Sequence, residues 1–203
     1  MTVGPAGSHT GVDGRSLRSE RTRGALARAY LDLVTEGDLR PTAERIAERA
    51  GCSARSVFKH FPDREALLAT ASDIQEGRIR DLVEPIDPAT PLPERLEAFA
   101  AQRARTLEFI SPVRRAALLV EPFSEVVAGR LGLARGLAAA QVEHVFGPEL
   151  GRLPDGERAA LLAGLVATSS WPIWNSLRAH QGLDPGAAGA VVRGMLSALL
   201  KDS

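Results

Sequence analysis

Cysteine is nearly absent: Cys52 stands alone in 203 residues, which excludes an internal disulfide framework and a Cys-rich metal cluster. No apolar run approaches the roughly 18 to 20 residues a bilayer demands, and the N-terminus lacks a compact apolar signal segment. The expectation is an unexported, cytoplasmic protein. Aromatic and β-branched residues are scarce beside Ala, Leu, Arg and Glu, a balance that disfavours strands and predicts an all-α fold. Net charge is zero, which argues against a chain that coats nucleic acid indiscriminately. Catalytic signatures are missing as well. HExxH, an ExxH pair, GxSxG, a Walker loop and GxGxxG do not occur, and His9, His60, His144 and His180 are scattered. No catalytic residue, metal site or cofactor is assigned, and no enzyme is expected.

The neutral total conceals an uneven distribution. Residues 1–61 carry 10 Lys+Arg against 7 Asp+Glu, whereas residues 62–203 carry 15 against 18, so the N-terminal part is the basic one. Residues 1–17, rich in glycine and poor in apolar groups, read as a flexible arm. From about Arg18 to Glu36, Leu26, Tyr30, Leu33 and Val34 follow helical spacing, and Gly37 supplies a stop. Thr42 can cap a second, short helix whose inner face holds Ala43, Ile46, Ala47 and Ala50. Ser53 can cap a third, with Val57 and Phe58 packing inward while Arg55 and Lys59 point outward. After Pro62, Asp63 can cap a fourth helix from Arg64 towards Leu82, and Pro85, Pro88, Pro91 and Pro93 then break the chain. Further helices are expected at about 92–109, 112–119, 122–147, 155–181 and 185–201, with Pro112 and Pro122 in first turns. Pro172 inside the fourth of these either kinks it, freeing the carbonyl of Thr168, or marks a boundary.

Residues 42–61, TAERIAERAGCSARSVFKHF, combine two short helices, a tight turn at Ala50-Gly51-Cys52-Ser53 and an apolar seam, as a helix-turn-helix requires. Gly51 can take a left-handed backbone there without a Cβ penalty. A plain helical hairpin meets the same demands. The segment from about Arg23 through Leu68 resembles the DNA-binding region of the TetR family, on LxxxYLxLVTEGDL at 26–39, TAERIAERAGCS at 42–53 and SVFKHFPDREALL at 56–68. The resemblance implies a helix-turn-helix DNA-binding domain over 18–64 and a helical regulatory, ligand-binding and dimerisation domain over 65–203. It also implies a homodimer that binds a double-stranded DNA operator and answers to a small-molecule effector, most simply as a repressor, with no membrane partner.

Arg55 and Lys59, one helical turn apart, share an exposed face that fits a major groove. They either read bases, Arg55 by a bidentate contact with guanine, or only hold phosphate. Ala54 and Ser56 beside Arg55 suit a thymine methyl or a phosphate, and Ser53 begins the same helix. Thr42, His60 and Arg64 match family positions that commonly meet the DNA backbone, where helix N-termini favour phosphate. The family often has glycine in place of Arg55, so no operator sequence carries over. It often has tyrosine in place of Phe58, which lacks that hydroxyl and is read chiefly as core. Cys52 is read as a small packing residue in the turn.

Most of the few aromatics lie in the body: Phe99, Phe109, Phe123, Phe146, Trp171 and Trp174. They either form ordinary core or line a pocket between helices, with Arg103, His144, Thr168 and Asn175 as the polar groups that would orient a ligand. Val192, Leu196 and Leu199 fall at core spacing in the last helix, and Leu161 and Leu165 in the one before it. In the resembling family these two helices pair with their copies around a two-fold axis, which makes the five leucine and valine positions dimer candidates. A helical module whose helix-turn-helix no longer touches DNA is the principal alternative.

Overall fold

The computed structural model describes residues 14–201; the remainder of the expected arm, residues 1–13, lies outside them. Regular structure among the described residues is entirely helical. In chain order it runs α1 (Gly14–Thr35), α2 (Ala43–Arg49), α3 (Ala54–His60), α4 (Arg64–Arg80), α5 (Leu92–Leu118), a 3-10 turn (Glu121–Phe123), α6 (Glu125–Val145), α7 (Gly147–Leu150), α8 (Asp155–Thr168), α9 (Trp171–Asn175), a π turn (Ser176–His180) and α10 (Pro185–Lys201). None of these helices is long and apolar enough to cross a membrane.

Local chemistry sets the first boundaries. The first helix starts four residues earlier than its expected limit at Arg18, so residues 14–17 are helix rather than arm, and Arg18 Nε donates to the Gly14 carbonyl at 3.1 Å. Gly37 ends α1 with φ +103°, and the Asp38 N–H returns to the Leu33 carbonyl at 3.0 Å. Asp63 caps α4 by accepting from the Ala66 N–H at 2.7 Å.

Later boundaries differ from the expectation. The segments at 92–109 and 112–119 are one helix, with Pro112 in its interior rather than in a first turn. Leu107 and Ala116, buried on either side of it, anchor α5 and override the missing backbone donor. The segment at 122–147 divides where Ser124 caps α6 by accepting from the Val127 N–H, while its hydroxyl donates to Glu65 at 2.6 Å. The segment at 155–181 ends after Thr168. Pro172 lies in the first turn of α9, where its missing N–H is harmless, so it marks a boundary and not a kink.

Two apolar cores result. The first joins Leu26, Leu31 and Val34 of α1 to Ile46, Val57, Phe61, Leu67, Leu68 and Ala71, and is closed by Ala116 of α5 and Val127 of α6. The second gathers Phe99, Val142, Val145, Phe146, Leu165, Trp174, Val192 and Leu196 in the body. The fourth helix therefore belongs to both halves: its apolar start completes the head, and Asp73 and Glu76 on its solvent side pair with Arg130 of α6 at 2.5 and 2.9 Å.

Candidate functional site

The turn between α2 and α3 has the backbone its sequence requires. Gly51 adopts φ +66°, and the Cys52 N–H donates to the Ala47 carbonyl at 2.8 Å, folding the third helix back on the second. Cys52, partly buried, packs against the head core. Ser53 stands at the N-cap position of α3, but its hydroxyl meets Ser56 Oγ at 3.1 Å instead of capping a backbone N–H. Thr42 does cap α2, accepting from the Arg45 N–H at 3.4 Å.

The cations of the head fall into two groups. Arg45 bonds Asp38, and Arg49 forms a two-pronged pair with Glu36 at 2.7 and 2.6 Å, so these side chains brace α2 against the end of α1. Arg55 and Lys59 on α3 are exposed and form no ion pair among the described residues. Ala54 and Ser56 flank Arg55 at partial exposure. Arg64 is exposed beside the buried Tyr30, whose phenol is pushed up by burial and held back by the nearby guanidinium.

Phe58 corrects the sequence reading. It is 67% exposed, on the same outward side as its neighbours Arg55 and Lys59, while Phe61 takes the core position at 3%. The two phenylalanines are three positions apart, and the chain leaves helical geometry at Phe61, which turns it inward. Sequence reasoning also missed Arg23. Its guanidinium lies 4.7 Å from the Phe61 ring centroid and donates to the His60 carbonyl at 3.1 Å and to Thr70 at 3.0 Å, locking the end of α3 to α1 and α4.

In the body the expected pocket residues disperse. Phe99 and Phe146 meet edge-on at 5.2 Å in the core. Trp174 is buried and Trp171 half-buried, and their indole N–H groups donate to Glu108 and Ser111, each at 3.0 Å. Arg178 closes a two-pronged pair on the same Glu108, so the carboxylate holds α9 and the π turn against α5. Asn175 accepts from Arg115 at 3.4 Å. Thr168 and Arg103 are buried. Phe123, 87% exposed in the 3-10 turn, and His144, on the outer side of α6 while Val142 and Val145 face inward, point to solvent and line no interior pocket. Phe109 borders a cleft of about 240 Å³ at the junction of head and body, with Asp32, Thr35, Glu36, Gln75 and Arg78.

The proposed dimer residues need a similar correction. Leu165 of α8 is fully covered within the chain, as are Val192 and Leu196 of α10, which stand in a row with Ala188 and Leu200 spaced four apart. The neighbouring row, Val191, Met195 and Leu199, is the one that α10 exposes, and Leu161 is half-buried. A four-residue period accounts for both rows, and only packing distinguishes the inner from the outer.

Residues 32–71 match the model of the family described as bacterial regulatory proteins, tetR family. A protein of Pseudomonas aeruginosa PAO1 assigned as a transcriptional regulator shares the fold with TM-score 0.64 at 19% identity, over 94% of this chain and 95% of its own. A transcriptional regulator of Rhodococcus sp. Rha1 does so with TM-score 0.62 at 19% identity, over 91% and 96%. No curated protein matches the sequence. The helix-turn-helix geometry and the family match fall on the same residues, and residues 32–71 form a head domain of the kind described as bacterial regulatory proteins, tetR family.

Proposed function

We propose that this protein is a cytoplasmic, ligand-responsive repressor that binds a pseudo-palindromic operator as a homodimer and releases it when a small molecule enters the body. The observation that supports this reading best is the division of cations in the head. Arg45 and Arg49 are engaged by carboxylates of the fold, whereas Arg55 and Lys59 stand exposed on the second helix of the motif without a protein counter-ion among the described residues. Burying them against phosphate or base edges releases counterions and gives affinity.

In this reading the head extends to about residue 64. Arg55 and Lys59 enter the major groove, with Ala54 and Ser56 beside them, and exposed Phe58 meets sugar or a thymine methyl. Thr42, Ser53, His60 and Arg64 hold the backbone. The remaining chain binds effector and dimerises. Val191 and Met195 of α10, together with the small exposed residues Ala163 and Ala167 of α8, offer an apolar seam for a second copy. Two heads would then face half-sites about 34 Å apart, or a multiple of that spacing.

Effector must favour one head geometry over the other, since equal affinity for both shifts nothing. The fourth helix suits the coupling role, because Arg64 sits at its DNA-facing start and its later turns are bound to α6 through Arg130. The test is selection of genomic fragments by purified protein, with the winning site retested as salt is raised. Enrichment of a pseudo-palindrome is expected; salt-sensitive background binding alone would overturn the reading.

A further inference from the structure

The body buries two arginines and neutralises only one. Arg95, 3% exposed, meets Glu149 through both terminal nitrogens at 2.6 and 3.0 Å and donates to the Thr90 carbonyl at 2.6 Å. Arg103, two turns further along α5 and 9% exposed, has no carboxylate within 4 Å and no hydrogen bond among the described residues. Its Nε is buried without an acceptor, and its guanidinium rests over the Phe99 ring at 5.5 Å. A ring face returns only part of what a cation loses on leaving water. Burial lowers its pKa to about 10, which leaves it charged at neutral pH.

Neighbouring positions of α5 carry unpartnered polar groups able to donate as well. Thr106 Oγ1, one turn on, is buried without a partner, and so is Gln102 Nε2, whose Oε1 accepts from the Glu84 N–H at 2.7 Å. From α4, Gln75 Nε2 is a fourth orphan, and Gln75 borders the same cleft as Phe109, the residue one turn past Thr106. Positions 99, 103, 106 and 110 form one stripe of α5, and its other members, Phe99 and Ile110, are apolar. Buried polar groups in folded proteins almost always find partners, and the three orphans on successive turns of α5, a cation among them, share with Gln75 on α4 the capacity to donate to an acceptor they lack.

We propose that the effector is a small carboxylate with an apolar remainder, its anionic group received by Arg103 and by the donors of Gln102, Thr106 and Gln75. The inference rests on the ligand-responsive reading above and adds the chemical class of the ligand. Gln75 gives it a consequence, since a carboxylate gripped from α5 and α4 together pulls on the helix that carries Arg64.

The test takes full-length protein with hexanoate, octanoate, benzoate and phenylacetate, each beside its own primary amide, and reads binding by tryptophan fluorescence and by melting temperature. At least one carboxylate is expected to bind about tenfold or more tighter than its amide, because a charged acceptor strengthens every bond in the site. Arg103→Met should remove that preference while melting no lower than wild type, and Arg103→Lys should retain part of it. Equal affinities, no carboxylate binding across the series, a preference that survives Arg103→Met, or a marked loss of stability in that variant would each overturn the proposal. Fragment selection without any of these compounds keeps the two readings separable. An operator bound equally by wild type and Arg103→Met, without carboxylate preference, sinks the anion inference and spares the regulator; a carboxylate preference without any enriched operator does the reverse.

Discussion

Arg23 of α1 lies across Phe61 at 4.7 Å and donates to the carbonyl of His60 at 3.1 Å, so one side chain fixes the end of the third helix from outside the motif. The end of that helix carries Lys59, and its tilt sets where both exposed cations point. Arg23→Met keeps the aliphatic stem but loses the cation and its bonds, and should lower stability by about 1 to 2 kcal/mol. Thermal unfolding and operator titration check it together. Operator affinity should fall further than in Arg21→Met, an exposed change on the same helix, and equal effects from the two would remove the clamp.

Arg55 and Lys59 are exposed, so their alanine variants should fold as wild type does. Loss of a phosphate contact weakens binding to all sequences and reduces the salt slope by about 1. A bidentate base contact costs about 1 to 3 kcal/mol and relaxes preference at one operator position. Arg55→Ala is expected to show the second pattern and Lys59→Ala the first. Titration against the selected operator and single-base variants at several salt concentrations separates them.

The head was legible because its signals are local. Gly37, Thr42, Gly51 and Asp63 each act within a few residues, and the structure uses them all at their expected places. Phe58 was misread because Val57, Phe58 and Phe61 all sit near one another in sequence, and the turn at the end of α3 decides which phenylalanine reaches the core. In the body, spacing predicted helices but could not tell the inner row of α10 from its outer row. The pairings that hold the body are between residues far apart in the chain: Arg95 with Glu149, and Glu108 with Trp174 and Arg178. No local pattern announces such contacts, and the orphan donors near Arg103 become visible only once every neighbour is in place.

The buried pair of Arg95 and Glu149 should fail asymmetrically. Glu149→Ala strands a guanidinium in the core and is expected to cost about 3 to 5 kcal/mol. Replacing both residues by methionine removes the two charges together and should recover most of that loss. Denaturant unfolding of the wild type, the single and the double variant gives the answer. A double variant no more stable than Glu149→Ala would show that the carbonyl bonds of Arg95, not its charge balance, hold the site.

Val191 and Met195 belong to the outer row of α10, so Met195→Glu should place a charge in the proposed dimer seam without touching the chain's own core. The expected result is a monomer that keeps the wild-type helix content and binds a full operator at least about tenfold more weakly, since the second head no longer arrives with the first. Sedimentation and circular dichroism measure the two properties. A variant that remains dimeric would move the interface to another face.

Glu108 gives the body an acid limit. Its carboxyl lies below the ordinary value of 4.5, chiefly through the bonds from Arg178 and against the opposing effect of burial, with the Trp174 N–H adding to the depression. A carboxyl whose folded pKa is depressed contributes stability that is complete above its unfolded value and is lost as pH falls through the folded one. Acidification from about pH 4.5 downward should therefore release Arg178 and Trp174 from α5, shifting tryptophan emission to the red. Glu108→Gln should show the shifted emission already at neutral pH and lose that acid transition, although other carboxylates still titrate. If the variant retains the wild-type emission at neutral pH, packing alone holds Trp174 in place and the carboxylate is not what fastens α9.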